Sequence, residues 1–153
     1  MKKRILPETI DNQYKGKPLA YWAFILITLV TIARSLVHIF APDGGAETIA
    51  TIPLGRFTVE GAQTVILMFG YWGISQLLLG ILYLIAALKY RSLIPLMYLI
   101  LCAEYVLRLG VGWAKPIITE STAPGAIGNY VMIPLSIVMF IFSMQTKEKD
   151  EAS

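Results

Sequence analysis

Long apolar blocks broken by short polar stretches run through this chain, and the block recurs four times. Residues 19–40 (LAYWAFILITLVTIARSLVHIF), 65–88 (VILMFGYWGISQLLLGILYLIAAL), 93–113 (LIPLMYLILCAEYVLRLGVGW) and 127–144 each supply the roughly 20 apolar residues a helix needs to cross a bilayer. The pattern predicts an all-α protein, a single integral membrane domain over residues 1–153 built as an antiparallel bundle of four transmembrane helices. Residues 89–92 join the second and third spans so briefly that a tight hairpin is expected. Pro95 suits the first turn of the third helix, where its missing N–H costs little. The stretch 41–64 is longer and opens with the turn sequence Pro42-Asp43-Gly44-Gly45. Its Ile49, Ile52 and Leu54 suit a segment lying on the bilayer surface. Lys115-Pro116 and Pro124-Gly125 break the chain before the fourth span, and Pro134 predicts a kink within it.

The first span is read as a true span. Lys2, Lys3 and Arg4 resemble the basic start of a signal peptide, but the apolar run begins too late and exceeds the ~7–15 residues of a signal core. Basic residues outside the spans then set the orientation. Lys2, Lys3, Arg4, Lys15, Lys17, Lys89, Arg91, Lys147 and Lys149 fall on one side, and only Arg56 and Lys115 on the other. This asymmetry places both termini in the cytoplasm and predicts a multi-pass protein of the plasma (inner) membrane, with the lipid bilayer as its first partner.

Composition agrees with that reading. Of 153 residues, 56% are apolar and 15% charged, whereas soluble domains carry about a quarter charged residues. The net charge of +3 reflects membrane topology. No basic stripe with interleaved aromatics accompanies it, so nucleic-acid binding is rejected. Cys102 is the only cysteine, which excludes an intramolecular disulfide and any two-cysteine redox centre.

Five residues interrupt the apolar blocks: Arg34, His38, Gln76, Glu104 and Arg108. Ionisable side chains in a membrane helix are costly and face a bundle interior or a cavity. Counting at about 1.5 Å rise per residue puts all five between midplane and outer face. Arg34 with His38, and Glu104 with Arg108, share a face at i,i+4. Span two offers Gly73, Gln76, Gly80, Tyr83 and Ala87 at heptad spacing, and span four offers Asn129, Ser136 and Ser143, small or polar stripes that suit close helix packing. Read as packing, Glu104 pairs with Arg34 across helices, Arg108 snorkels outward and His38 sits at the interface; in either reading Glu104 is expected to be ionised and paired with Arg34 or Arg108. Read as a site, the five residues line an outer-half cavity. Two arginines against one carboxylate leave +1, to be balanced by an anionic ligand group or by Asp43, Glu47 or Glu60. Tyr21, Trp22, Trp113 and Tyr130 suit a head-group belt. Tyr71 and Trp72 lie slightly deeper and, with Tyr105, suit a pocket wall.

The layout resembles small four-helix membrane proteins of the DoxX-like group and related domain-of-unknown-function families. The residues carrying the resemblance are Arg34, the run Gly70-Tyr71-Trp72-Gly73 to Gly80, Lys89-Tyr90-Arg91, and Arg108-Leu109-Gly110. It implies the four-helix fold and assigns no catalytic residue or cofactor; some relatives in the wider group are linked to quinone-coupled oxidation, and no motif here maps onto that role. Three function classes follow. The leading one is a non-enzymatic protein that binds a small amphiphile, lipid or quinone-like molecule. The alternatives are an accessory subunit of a larger membrane complex and an intramembrane enzyme using His38 and Glu104. No nucleophile motif, phosphate loop or metal set is present in the sequence, and no cofactor can be named.

Overall fold

A computed structural model describes residues 5–145. It is all-helical: α1 spans Pro18–Phe40, α2 Val59–Lys89, α3 Ile94–Ala114 and α4 Pro124–Met144, with single 3₁₀ turns at Leu54–Arg56 and Arg91–Leu93. All four helices are long and apolar enough to cross a membrane. The terminal Lys2, Lys3, Arg4, Lys147 and Lys149, on which part of the charge asymmetry rests, lie outside the described residues.

Local chemistry explains the helix starts. Pro18, Pro95 and Pro124 stand in the first two positions of their helices, where a proline removes an N–H that has no helical partner. The second helix starts six residues before the expected span, at Val59. Thr58 caps it, its Oγ1 accepting from the Gly61 N–H at 3.2 Å, and Glu60 sits in the first turn, where a negative charge meets the positive end of the helix dipole. Hydropathy missed this turn because Glu60, Gln63 and Thr64 are polar. The fourth helix runs through Pro134 without interruption.

Along α1 and α2, small and polar residues turn inward while many large apolar ones face out. Helix α1 buries Ala20, Phe24, Thr28, Thr31, Ser35 and His38, a heptad stripe, and turns Leu26, Leu29, Val30 and Phe40 outward. Such an exposed apolar belt would be a liability in water; in lipid it meets a solvent like itself. The buried hydroxyls bond within their own helix: Thr28 to the Phe24 carbonyl at 2.8 Å, Thr31 to Ile27 at 2.8 Å and Ser35 to Thr31 at 2.6 Å. Helix α2 answers with the heptad stripe read from its sequence, burying Gly73, Gln76, Gly80, Tyr83 and Ala87. A Cβ at Gly73 would stand 2.8 Å from the His38 Cβ and 3.1 Å from the Ser35 carbonyl oxygen, so only glycine lets α1 and α2 approach this closely. Each helix has one main partner, α1 with α2 and α3 with α4, and contacts between the two pairs are sparser. The short connector therefore does not make α2 and α3 each other's chief neighbours.

The two ends of the bundle differ. At one, the segment before α1 crosses beneath the helices. The Asp11 N–H donates to the Ser92 hydroxyl at 3.0 Å, Ser92 returns its hydroxyl to the Asp11 carbonyl at 2.9 Å, and the Lys17 N–H reaches the Phe142 carbonyl at 3.0 Å. At the other end, residues 41–58 fold back on α2. Ala46, Ile52 and Leu54 are buried against Ala62, Val65, Ile66 and Phe69, which corrects the expectation of a segment lying on the bilayer surface: the protein's own helix takes up its apolar side chains. Thr51, in the left-handed region at φ 55, ties this loop to the last one. Its hydroxyl donates to the Ser121 carbonyl at 2.8 Å and its carbonyl accepts from the Glu120 N–H at 2.9 Å.

Candidate functional site: a polar chain around Trp72

The five sequence-singled residues belong to one cluster drawn from α1, α2 and α3. Arg34 Nη2 donates to Gln76 Oε1 at 3.0 Å, and Gln76 Nε2 donates to Glu104 Oε1 at 2.6 Å. Arg108, one turn beyond Glu104, donates to the same carboxylate oxygen at 2.5 Å. Gln76 is well chosen for the middle. Its amide oxygen faces a cation while its amide nitrogen faces an anion, so one neutral side chain joins Arg34 to Glu104.

The expected pairing of Glu104 with one of the two arginines is met by Arg108. Two features of the packing reading are corrected: Arg34 and Glu104 form no direct ion pair, because Gln76 stands between them. Arg108 does not snorkel, because the carboxylate one turn back and two aromatic faces hold it more favourably than the distant surface. Both members of the Glu104–Arg108 pair keep less than a fifth of their side-chain area exposed.

Trp72 is the centre that sequence reasoning undervalued. The Arg108 guanidinium carbon lies 4.6 Å from its ring centroid and that of Arg34 5.5 Å, while Arg108 also stands 5.3 Å from Tyr105. Guanidinium over an aromatic face contributes about 0.5–2 kcal/mol, more when water is excluded. The His38 ring lies 4.6 Å from the same indole, tilted by 33°, and Phe69 meets it edge-on at 5.8 Å. One signal was available: Trp72 precedes Gln76 by four residues, one helical turn on the same face. Tyr71, its sequence neighbour, is exposed.

His38 is buried within the protein at 3% exposure. Its Nδ1 lies 2.7 Å from the Gly44 carbonyl oxygen. A carbonyl only accepts, so Nδ1 carries the hydrogen and Nε2 of the neutral ring offers a bare lone pair. Gly44 can present that carbonyl because it adopts φ 61. Asp43 fixes the turn, accepting from the N–H groups of Gly45, Glu47 and Thr48 and from the Thr48 hydroxyl at 2.8–3.1 Å. Burial would raise its pKa, but those four donors outweigh it and bring the carboxyl down to about 2. His38 joins the cluster through the Trp72 ring and makes no hydrogen bond to Glu104.

Among the described residues, three buried side-chain polar atoms lack a hydrogen-bond partner: Arg34 Nε, His38 Nε2 and Tyr83 Oη. Each costs about 1–3 kcal/mol in that state, and such atoms call for an explanation. A groove of about 280 Å³ runs along α1 and α2 and meets the cluster only at His38, its wall otherwise formed by apolar Ile39, Ile66, Leu67, Tyr71 and Ile74. It does not open between Gln76 and Glu104, where the sequence placed a polar cavity. Among the described residues, no three His, Cys, Asp or Glu side chains gather to hold a metal. No family model, curated protein or solved structure matches the chain.

Proposed function

We propose that this protein is a small multi-pass membrane protein that binds a small amphiphile, lipid or quinone-like molecule with the outer-half cluster around Trp72. One observation carries the reading. Two guanidinium groups and an imidazole gather on a single indole, Glu104, their only carboxylate among the described residues, is already engaged twice, and an apolar groove reaches the imidazole. The groove approaches the lower end of small-molecule pocket volumes. The four helices are antiparallel in this reading, with both termini cytoplasmic and the Asp43 turn facing outward in the plasma membrane. The basic asymmetry of the sequence supports that orientation, and the bond from Gln76 to Glu104 supports α2 running against α3. The likeness to the DoxX-like group is consistent with the layout.

A second reading, an accessory subunit of a larger membrane complex, draws on the far ends of α3 and α4. Gly110, Gly112, Gly125 and Gly128 have nothing within 4 Å of where a Cβ would stand, leaving room for another helix. Native mass spectrometry of gently extracted protein separates the two. A co-purified small amphiphile is expected; a bare chain, or one carrying only protein partners, would sink the ligand reading.

A further inference from the structure

Among the described residues the cluster's charge does not balance, and this names the head group. Arg34 and Arg108 face one carboxylate, Glu104, whose Oε1 takes both Gln76 and Arg108. The other acids that were candidates to balance the excess are engaged elsewhere or exposed. Asp43 spends both its oxygens on its own turn. Glu47 and Glu60 are exposed, and among the described residues no carboxylate other than Glu104 lies within 4.0 Å of either guanidinium. Glu120 lies with Arg56 in the exposed loops at 3.8 Å. Arg34 meanwhile keeps a buried Nε with no acceptor. An uncompensated cation inside a membrane protein is unfavourable, and a guanidinium matches a carboxylate or phosphate with two parallel N–H donors.

We infer that the amphiphile is anionic: a carboxylate or phosphate head group accepts from Arg34 beside Trp72 and brings the cluster to neutrality. This rests on the ligand reading above. A neutral quinone or diacylglycerol would leave both the charge and the Arg34 donor unanswered. The groove next to His38, walled by Ile39, Ile66, Leu67 and Ile74, offers apolar surface to the amphiphile's chain.

Trp72 is the built-in reporter. Trp22 and Trp113 are exposed at 66% and 69%, so Trp22→Phe and Trp113→Phe leave one interior indole. Quenching of that indole is measured in neutral-lipid nanodiscs at mildly alkaline pH. The probes are a bromine-labelled fatty acid, a lysophosphatidate with the same brominated chain, and the matching neutral monoacylglycerol. Saturable quenching by an anionic probe, with the neutral one weaker by roughly tenfold or more, is the expected result. Preference between the two anions tells carboxylate from phosphate. Arg34→Gln makes the cluster neutral and removes the preference, whereas Glu104→Gln raises its excess charge and strengthens it. Those opposite shifts are not what a purely structural role gives, and either variant alone tests the charge argument if the other fails to fold. Equal quenching by the neutral probe overturns the anionic head group but leaves the amphiphile site standing. No saturable quenching by any probe overturns both.

Discussion

At the scale of single residues, Gln76 is the side chain whose loss should be felt most widely. It is 6% exposed and bonded at both ends, so Gln76→Leu strands Arg34 on one side and weakens Glu104 on the other. Removing one partner from a buried charged network typically costs ~3–5 kcal/mol. We expect Gln76→Leu to lower the thermal midpoint in detergent and to cut folded yield. A double-mutant cycle with Glu104→Gln should show strong coupling, and additive effects would contradict the relay. Asp43 makes a contrasting prediction outside the helices. Its folded pKa of about 2 lies below the ordinary ~3.9 of an unfolded aspartate. Its contribution is therefore complete above that ordinary value and fades as pH falls from about 4 toward 2. Asp43→Ala should cost ~1 kcal/mol, as losing a comparable capping carboxylate does. It should also flatten the dependence of thermal midpoint on pH in that acid window; an unchanged acid profile would show that the turn does not need the charge.

At the scale of elements, glycines of the same kind in sequence divide into two classes in space. Gly73→Ala forces a Cβ to 2.8 Å from the His38 Cβ and should separate α1 from α2, at the ~1–3 kcal/mol typical of overpacking. Gly110→Ala meets open space and exchanges a poor helix former for the best one, a gain of up to ~1 kcal/mol. Thermal midpoints of the two variants in one detergent should move in opposite directions; a fall for both would mean that the Gly110 face is occupied. The heptad stripe of α2 was legible in the sequence because small and polar residues repeat there against an apolar ground. The start of α2 was not, because a side-chain cap at Thr58 extends the helix through residues too polar for a hydropathy window. The partners of Arg34 and Arg108 were equally hidden. Periodicity reports which face a residue occupies, and both arginines have Glu104 within plausible reach. The choice between ion pair and relay depends on side-chain length and on Gln76 lying between them. Trp72 was read as part of a wall because aromatic residues in membrane helices so often mark interfaces, and only the three-dimensional convergence of two cations on its ring reveals the other role.

For the whole molecule, the bundle is tied differently at its two ends, and this asymmetry bears on which end admits a ligand. The segment before α1 closes one end through Ser92 and Phe142, joining the α2–α3 connector and the end of α4. At the other end residues 41–58 pack on α2 and meet the α3–α4 loop through the Thr51 contacts and an exposed Arg56–Glu120 pair at 3.8 Å, and exposed salt bridges contribute only about 0–1 kcal/mol. The cluster around Trp72 lies nearer this weaker closure, since His38 bonds the Gly44 carbonyl of the loop itself. If the orientation proposed above holds, the weak closure faces outward and the strap faces the cytoplasm. Replacing Cys102 with serine and placing single cysteines at the exposed Glu47 and Lys89 tests this in intact cells. A membrane-impermeant maleimide should label the Glu47 position from outside and reach the Lys89 position only after the membrane is opened. Labelling of both from one side would refute the topology. The reverse pattern would keep the bundle but turn its loosely closed end, and the cluster behind it, toward the cytoplasm, where its amphiphile would have to come from the inner leaflet.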